Sequence, residues 1–152
     1  MAETGRVRQL QYVKAEDLER WNCRPIGGIP VLDLRDRPVG HIDGLIIESP
    51  ADQPRFLVIR RDNAKSRERF LVPVNDAWFD ETARAIRIDE TPPRGSVQPF
   101  DLDRFERLSA EEAAEFERRI LKQCCPEVPV QDDGTPNYAA NKSFTCPVWI
   151  HE

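Results

Sequence analysis

The chain is poor in the residues that most enzymes rely on. Its 152 residues include two histidines, one methionine and seven glycines. With only His41 and His151, a catalytic triad or metal-hydrolase site has little to draw on, and His41 reads as a structural or surface residue between Gly40 and Ile42. The P-loop pattern, the dinucleotide-binding glycine pattern, the nucleophile elbow and the His-Glu-x-x-His zinc pattern are all absent. A non-enzymatic role without a cofactor is therefore expected. Long apolar runs are also missing. Leu45-Ile46-Ile47 and Phe70-Leu71-Val72 are among the longest, whereas a spanning helix needs about 20 residues. Met1-Ala2-Glu3-Thr4-Gly5 opens into polarity rather than an apolar secretory stretch, so the expected address is the cytoplasm.

What is present is charge and proline. Charged residues make up 32% of the chain and proline occurs 13 times, but the hydrophobic share of 39% is enough for a core. The length fits one domain. The net charge of −5 argues against general nucleic-acid binding. That charge is uneven. Residues 1–88 carry 15 Lys/Arg and 14 Asp/Glu, while residues 89–152 carry 7 and 13. The split predicts a nearly neutral folded body followed by an acidic appendage.

Residues 1–28 read as a flanking segment with a short helix over Lys14–Trp21, broken by Pro25 and Gly27-Gly28. From 29 to 89 the pattern is short β runs between turn signals. Strands are expected near Ile29–Leu34, Val39–Glu48, Phe56–Arg61, Arg69–Val74 and Ala85–Asp89. Gly40 and Gly44 inside the longest run predict a bend, bulge or close backbone approach. Pro73 predicts an edge or a bulge. Residues 90–108 read as a linker. Ser109-Ala110-Glu111-Glu112 is a capping box that opens a helix over 109–125, ended by Pro126. Residues 126–152, with four prolines and no period, read as an irregular tail.

The stretch Val31 to Asp89 resembles the PRC-barrel family, the small β-barrel of the photosynthetic reaction-centre H subunit and of a ribosome-maturation factor. The resemblance rests on features in order. Val31-Leu32-Asp33-Leu34 leads to the turn Arg35-Asp36-Arg37. The strand Pro38-Val39-Gly40-His41-Ile42-Asp43-Gly44-Leu45-Ile46-Ile47 follows, then Phe56-Leu57-Val58-Ile59, Phe70-Leu71-Val72-Pro73-Val74 and Ile86-Arg87-Ile88-Asp89. It implies a mainly β fold: a small PRC-like barrel with a short N-terminal helical segment, a C-terminal helix and a tail. It also implies a module that docks on another protein. Residues 1–28 are too few for the maturation factor's separate N-terminal barrel and lack the H subunit's membrane helix. The expected function is thus an adaptor, binding a protein partner or its own copy, rather than a part of either named assembly.

The candidate partner-binding residues are Arg60, Arg61, Lys65, Arg67 and Arg69, five cations beside only Asp62 and Glu68 in one turn between strands. Such a patch steers an acidic partner surface, or the acidic 101–117 segment of the same chain. The turn carries no interleaved aromatics of the kind single-strand binders stack bases on. A ribosome- or RNA-associated assembly factor is the first alternative. A thiol or metal protein built on Cys124, Cys125, Cys146 and His151 is the second, although adjacent cysteines do not readily aim both sulfurs at one ion. Cys23 and the other three read as reduced thiols. Asp33, Asp36, Asp76, Asp80 and Glu81 read as solvated turn acids. Trp21 and Trp149 are expected to pack onto the barrel from the two flanking segments, because a body of about 60 residues is marginal alone.

Overall fold

The computed structural model describes residues 9–21, 23–24, 26–49, 51–61, 69–89, 97–132, 135–144 and 147–150. Among these residues eight strands form one sheet: β1 (Gln9–Lys14), β2 (Pro30–Leu32), β3 (Pro38–Ser49), β4 (Gln53–Arg61), β5 (Arg69–Pro73), β6 (Ala77–Asp80), β7 (Ala85–Ile88) and β8 (Val97–Phe100). Helices α1 (Leu102–Glu106) and α2 (Ala110–Cys124) follow. The strand order is β6-β7-β2-β3-β4-β5-β8. The twelve-residue β3 organises the sheet: one edge pairs with β4, and the other takes β2 along its first part and β1 along its second. The result is a curled half-barrel with a C-terminal helix. Among the described residues no helix is long and apolar enough to cross a membrane.

The apolar runs of β3, β4 and β5 are continuous because both faces of these strands are covered. Leu45, Ile47, Leu57, Ile59, Phe70 and Val72 point into the curl, where they meet Leu18, Ile26, Val31, Ile86 and Ile150. Ile46, Phe56, Val58 and Leu71 point outward, under Phe105, Ile120, Leu121, Tyr138 and Phe144. Each fully buried side chain of this size contributes about 1.5–3 kcal/mol, so the outer cover is a second core. Trp21 and Trp149 pack half-buried on the inner cluster.

Local chemistry sets the elements. Ser109 caps α2 by accepting from the Glu112 amide at 3.2 Å, and the Glu112 carboxylate accepts from the Ser109 amide at 2.9 Å. That bond holds the Glu112 carboxyl below its ordinary range. Pro73 closes β5 and leads into a 3₁₀ turn, Val74–Asp76. It pairs with Phe56 of β4, whereas β8 reaches only Arg69 and Leu71.

Four features differ from the sequence expectations. The segment before the N-terminal 3₁₀ helix (Ala15–Trp21) is strand β1. Its apolar residues serve both clusters, Leu10 outside and Val13 inside, which blurs the period-two signal. Residues 77–80, between acids that read as turn residues, form β6. The stretch read as a linker holds β8 and α1 in its described part. Asp33 is a turn acid but not a solvated one. It is 2% exposed and accepts from the amides of Arg35 and Arg37 and from the Arg37 guanidinium at 2.7–2.9 Å. Burial pushes its carboxyl up, but those three bonds outweigh it and hold the pKa at about 2.

Candidate partner-binding cleft

The long strand β3 is kinked at Asp43. Register against β4 shifts between Ile42 and Gly44, so Ile42 faces inward before the kink while Leu45 and Ile47 do so after it. A β-bulge of this kind leaves one residue out of the ladder and re-aims its side chain. Here that residue is Asp43. Its carboxylate oxygen Oδ2 accepts from the Tyr12 hydroxyl at 2.8 Å and from Arg69 Nε at 2.8 Å. Gly44 makes this possible. A Cβ there would overlap the Val13 carbonyl oxygen and come within 2.9 Å of the Tyr12 ring. Burial, then the Asp43 hydrogen bond and charge, push the Tyr12 hydroxyl well above the usual tyrosine range. The Tyr12 hydroxyl therefore keeps its proton and is held in place by its donation to Asp43.

Around this tied triad lies an open cleft of about 620 Å³. Its floor comes from the outer face of β1, β3, β4 and β5: Tyr12, Lys14, His41, Asp43, Arg60 and Arg69. Its walls are the Ala15-Glu16 turn, Gly27-Gly28, and Leu102 and Glu106 of α1. His41 and Arg60 are cross-strand partners on β3 and β4. Gly40, one residue earlier, has no room for a Cβ against the Arg60 carbonyl, so β3 and β4 are held close where these side chains emerge. Lys14 and Arg60 are exposed. Among the described residues neither side chain makes a hydrogen bond or ion pair.

The three described sequence candidates, Arg60, Arg61 and Arg69, do not all face the same way. Arg60 and Arg69 reach the cleft, Arg60 exposed and Arg69 held by Asp43. Arg61 lies over the Phe70 ring, 5.0 Å from its centroid, toward the inner cluster. The alternation of side chains along β4 separates the two neighbours. Lys65 and Arg67 lie outside the described residues. Sequence reading missed Tyr12, Lys14, Asp43 and Glu106. The Asp43-Gly44 pair in mid-strand was the available signal for a bulge, but the strand that brings Tyr12 and Lys14 was read as part of a flanking segment. Glu106, within the acidic 101–117 segment, stands on the cleft wall.

Two other polar clusters have structural roles. Arg87 donates to the Asp33 carbonyl at 2.8 Å, to Asp36 at 2.6 Å and to Asp80 at 2.7 Å, tying the β2–β3 turn to β6 and β7. Arg55 joins Glu48 under the C-terminal tail at 2.7 Å. Cys23 and Cys125 are buried, and burial pushes the Cys23 thiol up, away from the reactive thiolate. The Cys124 side chain, Cys146 and His151 lie outside the description. No protein-family model matches the chain, and no curated protein matches it either.

Proposed function

We propose that this protein is a non-enzymatic adaptor on a PRC-like barrel, and that it captures a protein partner in the cleft between α1 and the kink of β3. The observation that carries this reading is the contrast within one surface. Asp43, Arg69 and Tyr12 satisfy one another and set a rigid floor. Arg60 and Lys14 stand beside them, exposed and outside any ion pair among the described residues. Pre-set geometry with uncommitted cations suits the capture of an acidic segment. The fixed floor lowers the ordering cost, and the cations steer encounter. The mid-strand glycines Gly40 and Gly44 belong to the stretch that resembles the PRC-barrel family.

Capture from native cells at moderate salt tests this. The doubly reversed variant Lys14→Glu with Arg60→Glu is expected to recover the partner at least tenfold less than the unsubstituted chain. Arg118→Glu, an exposed reversal on α2, is expected to leave recovery intact. Equal recovery by all three chains would remove the cleft from the proposal. A recovered set dominated by RNA or ribosomal proteins would replace the adaptor reading.

A further inference from the structure

The cleft between α1 and the kink of β3 presents charges of both signs. On its floor Asp43 is already matched by Arg69 and Tyr12. Four other lining residues stand exposed: Lys14 and Arg60 as cations, Glu16 and Glu106 as carboxylates. Among the described residues none of these four side chains makes a hydrogen bond or ion pair.

The two carboxylates differ in what their own elements gain from them. Glu16 lies in the first turn of the 3₁₀ helix Ala15–Trp21, where an acid suits the unbonded amides. Glu106 is the last residue of α1, where a carboxylate faces the last helical carbonyls and is disfavoured. α1 itself gains nothing from that charge, yet it holds the residue firmly. The neighbouring Phe105 is buried against Phe100 at 5.4 Å and Phe116 at 5.5 Å. Leu102 and Glu106, four residues apart, share the face of α1 that lines the cleft. The Glu106 charge is felt at the Tyr12 hydroxyl of the floor.

The layout decides what such a wall admits. Arg60 and Lys14 rise from strands on opposite sides of β3, about 10 Å apart across the sheet and a further three residues apart along it, since Arg60 pairs with His41 and Lys14 with Gly44. Each cation therefore takes its own group. A run of anions long enough to reach both is brought against Glu16 and Glu106, and like charges placed together count against binding. A base on the same segment turns the wall carboxylate from a barrier into a contact.

Given capture in this cleft, on which the reading rests, we infer that the captured element is a mixed-charge peptide segment, with an acid for Arg60 and a Lys or Arg for Glu106, and that Glu106 selects it over a polyanion.

A random-peptide display library panned on the full chain tests this. The unsubstituted chain is expected to enrich sequences that carry both an acid and a base, each at least threefold above the background of the library. Glu106→Lys is expected to lose the enrichment of bases and keep that of acids, whereas Arg60→Glu loses the acids and keeps the bases. Glu115→Lys, the same charge change at an exposed position of α2, is expected to select as the unsubstituted chain does. Enrichment of acids alone by the unsubstituted chain would overturn the inference and leave capture in the cleft standing. Enrichment of neither would overturn both. Equal loss of bases with Glu115→Lys and Glu106→Lys would reduce the effect to net charge and remove Glu106 as the selecting residue. The result on the unsubstituted chain decides the ligand class whether or not a variant folds.

Discussion

Arg69 Nε and the Tyr12 hydroxyl meet on one oxygen, Asp43 Oδ2, each at 2.8 Å. This shared acceptor ties β1, the kink of β3 and the start of β5 together, and it divides the cleft's cations by role. Arg69 is part of the floor, while Arg60 is part of the surface. Arg69→Met is expected to lower stability by about 1.5–3 kcal/mol, the range for losing a hydrogen bond to a charged group. Arg60→Met is expected to stay within about 0.5 kcal/mol of the unsubstituted chain. Urea unfolding of both variants checks the pair. Equal losses would mean that the two arginines do not differ in role.

Gly44 is where that floor is most sensitive. A Cβ would meet the Val13 carbonyl, which is backbone and held in the β1–β3 ladder, and the Tyr12 ring. Neither neighbour can yield without breaking a pairing. Gly44→Ala is expected to cost about 1–3 kcal/mol, as overpacking does. Gly28→Ala makes a useful contrast. Nothing lies within 4 Å of its added Cβ, and its cost comes only from a φ of +76°. Melting both variants while following Tyr12 exchange broadening by NMR separates the two causes: only Gly44→Ala is expected to disturb the Tyr12 ring.

The strands that bury both faces were legible because Leu45-Ile46-Ile47, Phe56–Ile59 and Phe70–Val72 are apolar whichever face is counted. The capping box at Ser109 and Glu112 was legible because its spacing is its mechanism. β1 was not, since Leu10 and Val13 serve opposite faces of the strand and leave no period-two signal. β6 was hidden by the acids around it, and Asp80 pairs with Arg87 on the neighbouring strand β7. The cleft was half legible. The cations at 60 and 69 stand out in sequence, but alternation turns Arg61 away from them, and their companions Tyr12 and Lys14 arrive from a strand some 50 residues distant.

Acid is expected to loosen the β2–β3 turn late. The Asp33 carboxyl titrates at about 2 in the folded chain, below its ordinary 3.8. A depressed folded value means that the ionised form favours folding. The contribution is complete above about pH 4 and is lost as pH falls through about 2. Asp33→Asn keeps the size but loses the charge. It is expected to be less stable than the unsubstituted chain at pH 7 and to converge with it as pH approaches 2. Parallel stability curves across that window would remove Asp33 as the source.

The tail predicts a separable response. Tyr138→Phe keeps the ring over Arg55 and against Phe144 but removes the hydroxyl that meets Glu117. Leaving a buried carboxylate short of one donor costs about 1–3 kcal/mol. That loss is expected to fall on the tail and α2 rather than on the whole sheet. Hydrogen exchange should therefore quicken for residues 138–144 by tenfold or more while amides of β3 and β4 change little. The inner cluster of Leu45, Ile47, Leu57 and Ile59 closes against β2, β7 and the Ala15–Trp21 turn, and from the tail it takes Trp149 and Ile150 but not Tyr138. A uniform loss of protection in both regions would show instead that the outer cover and the curl unfold as one unit.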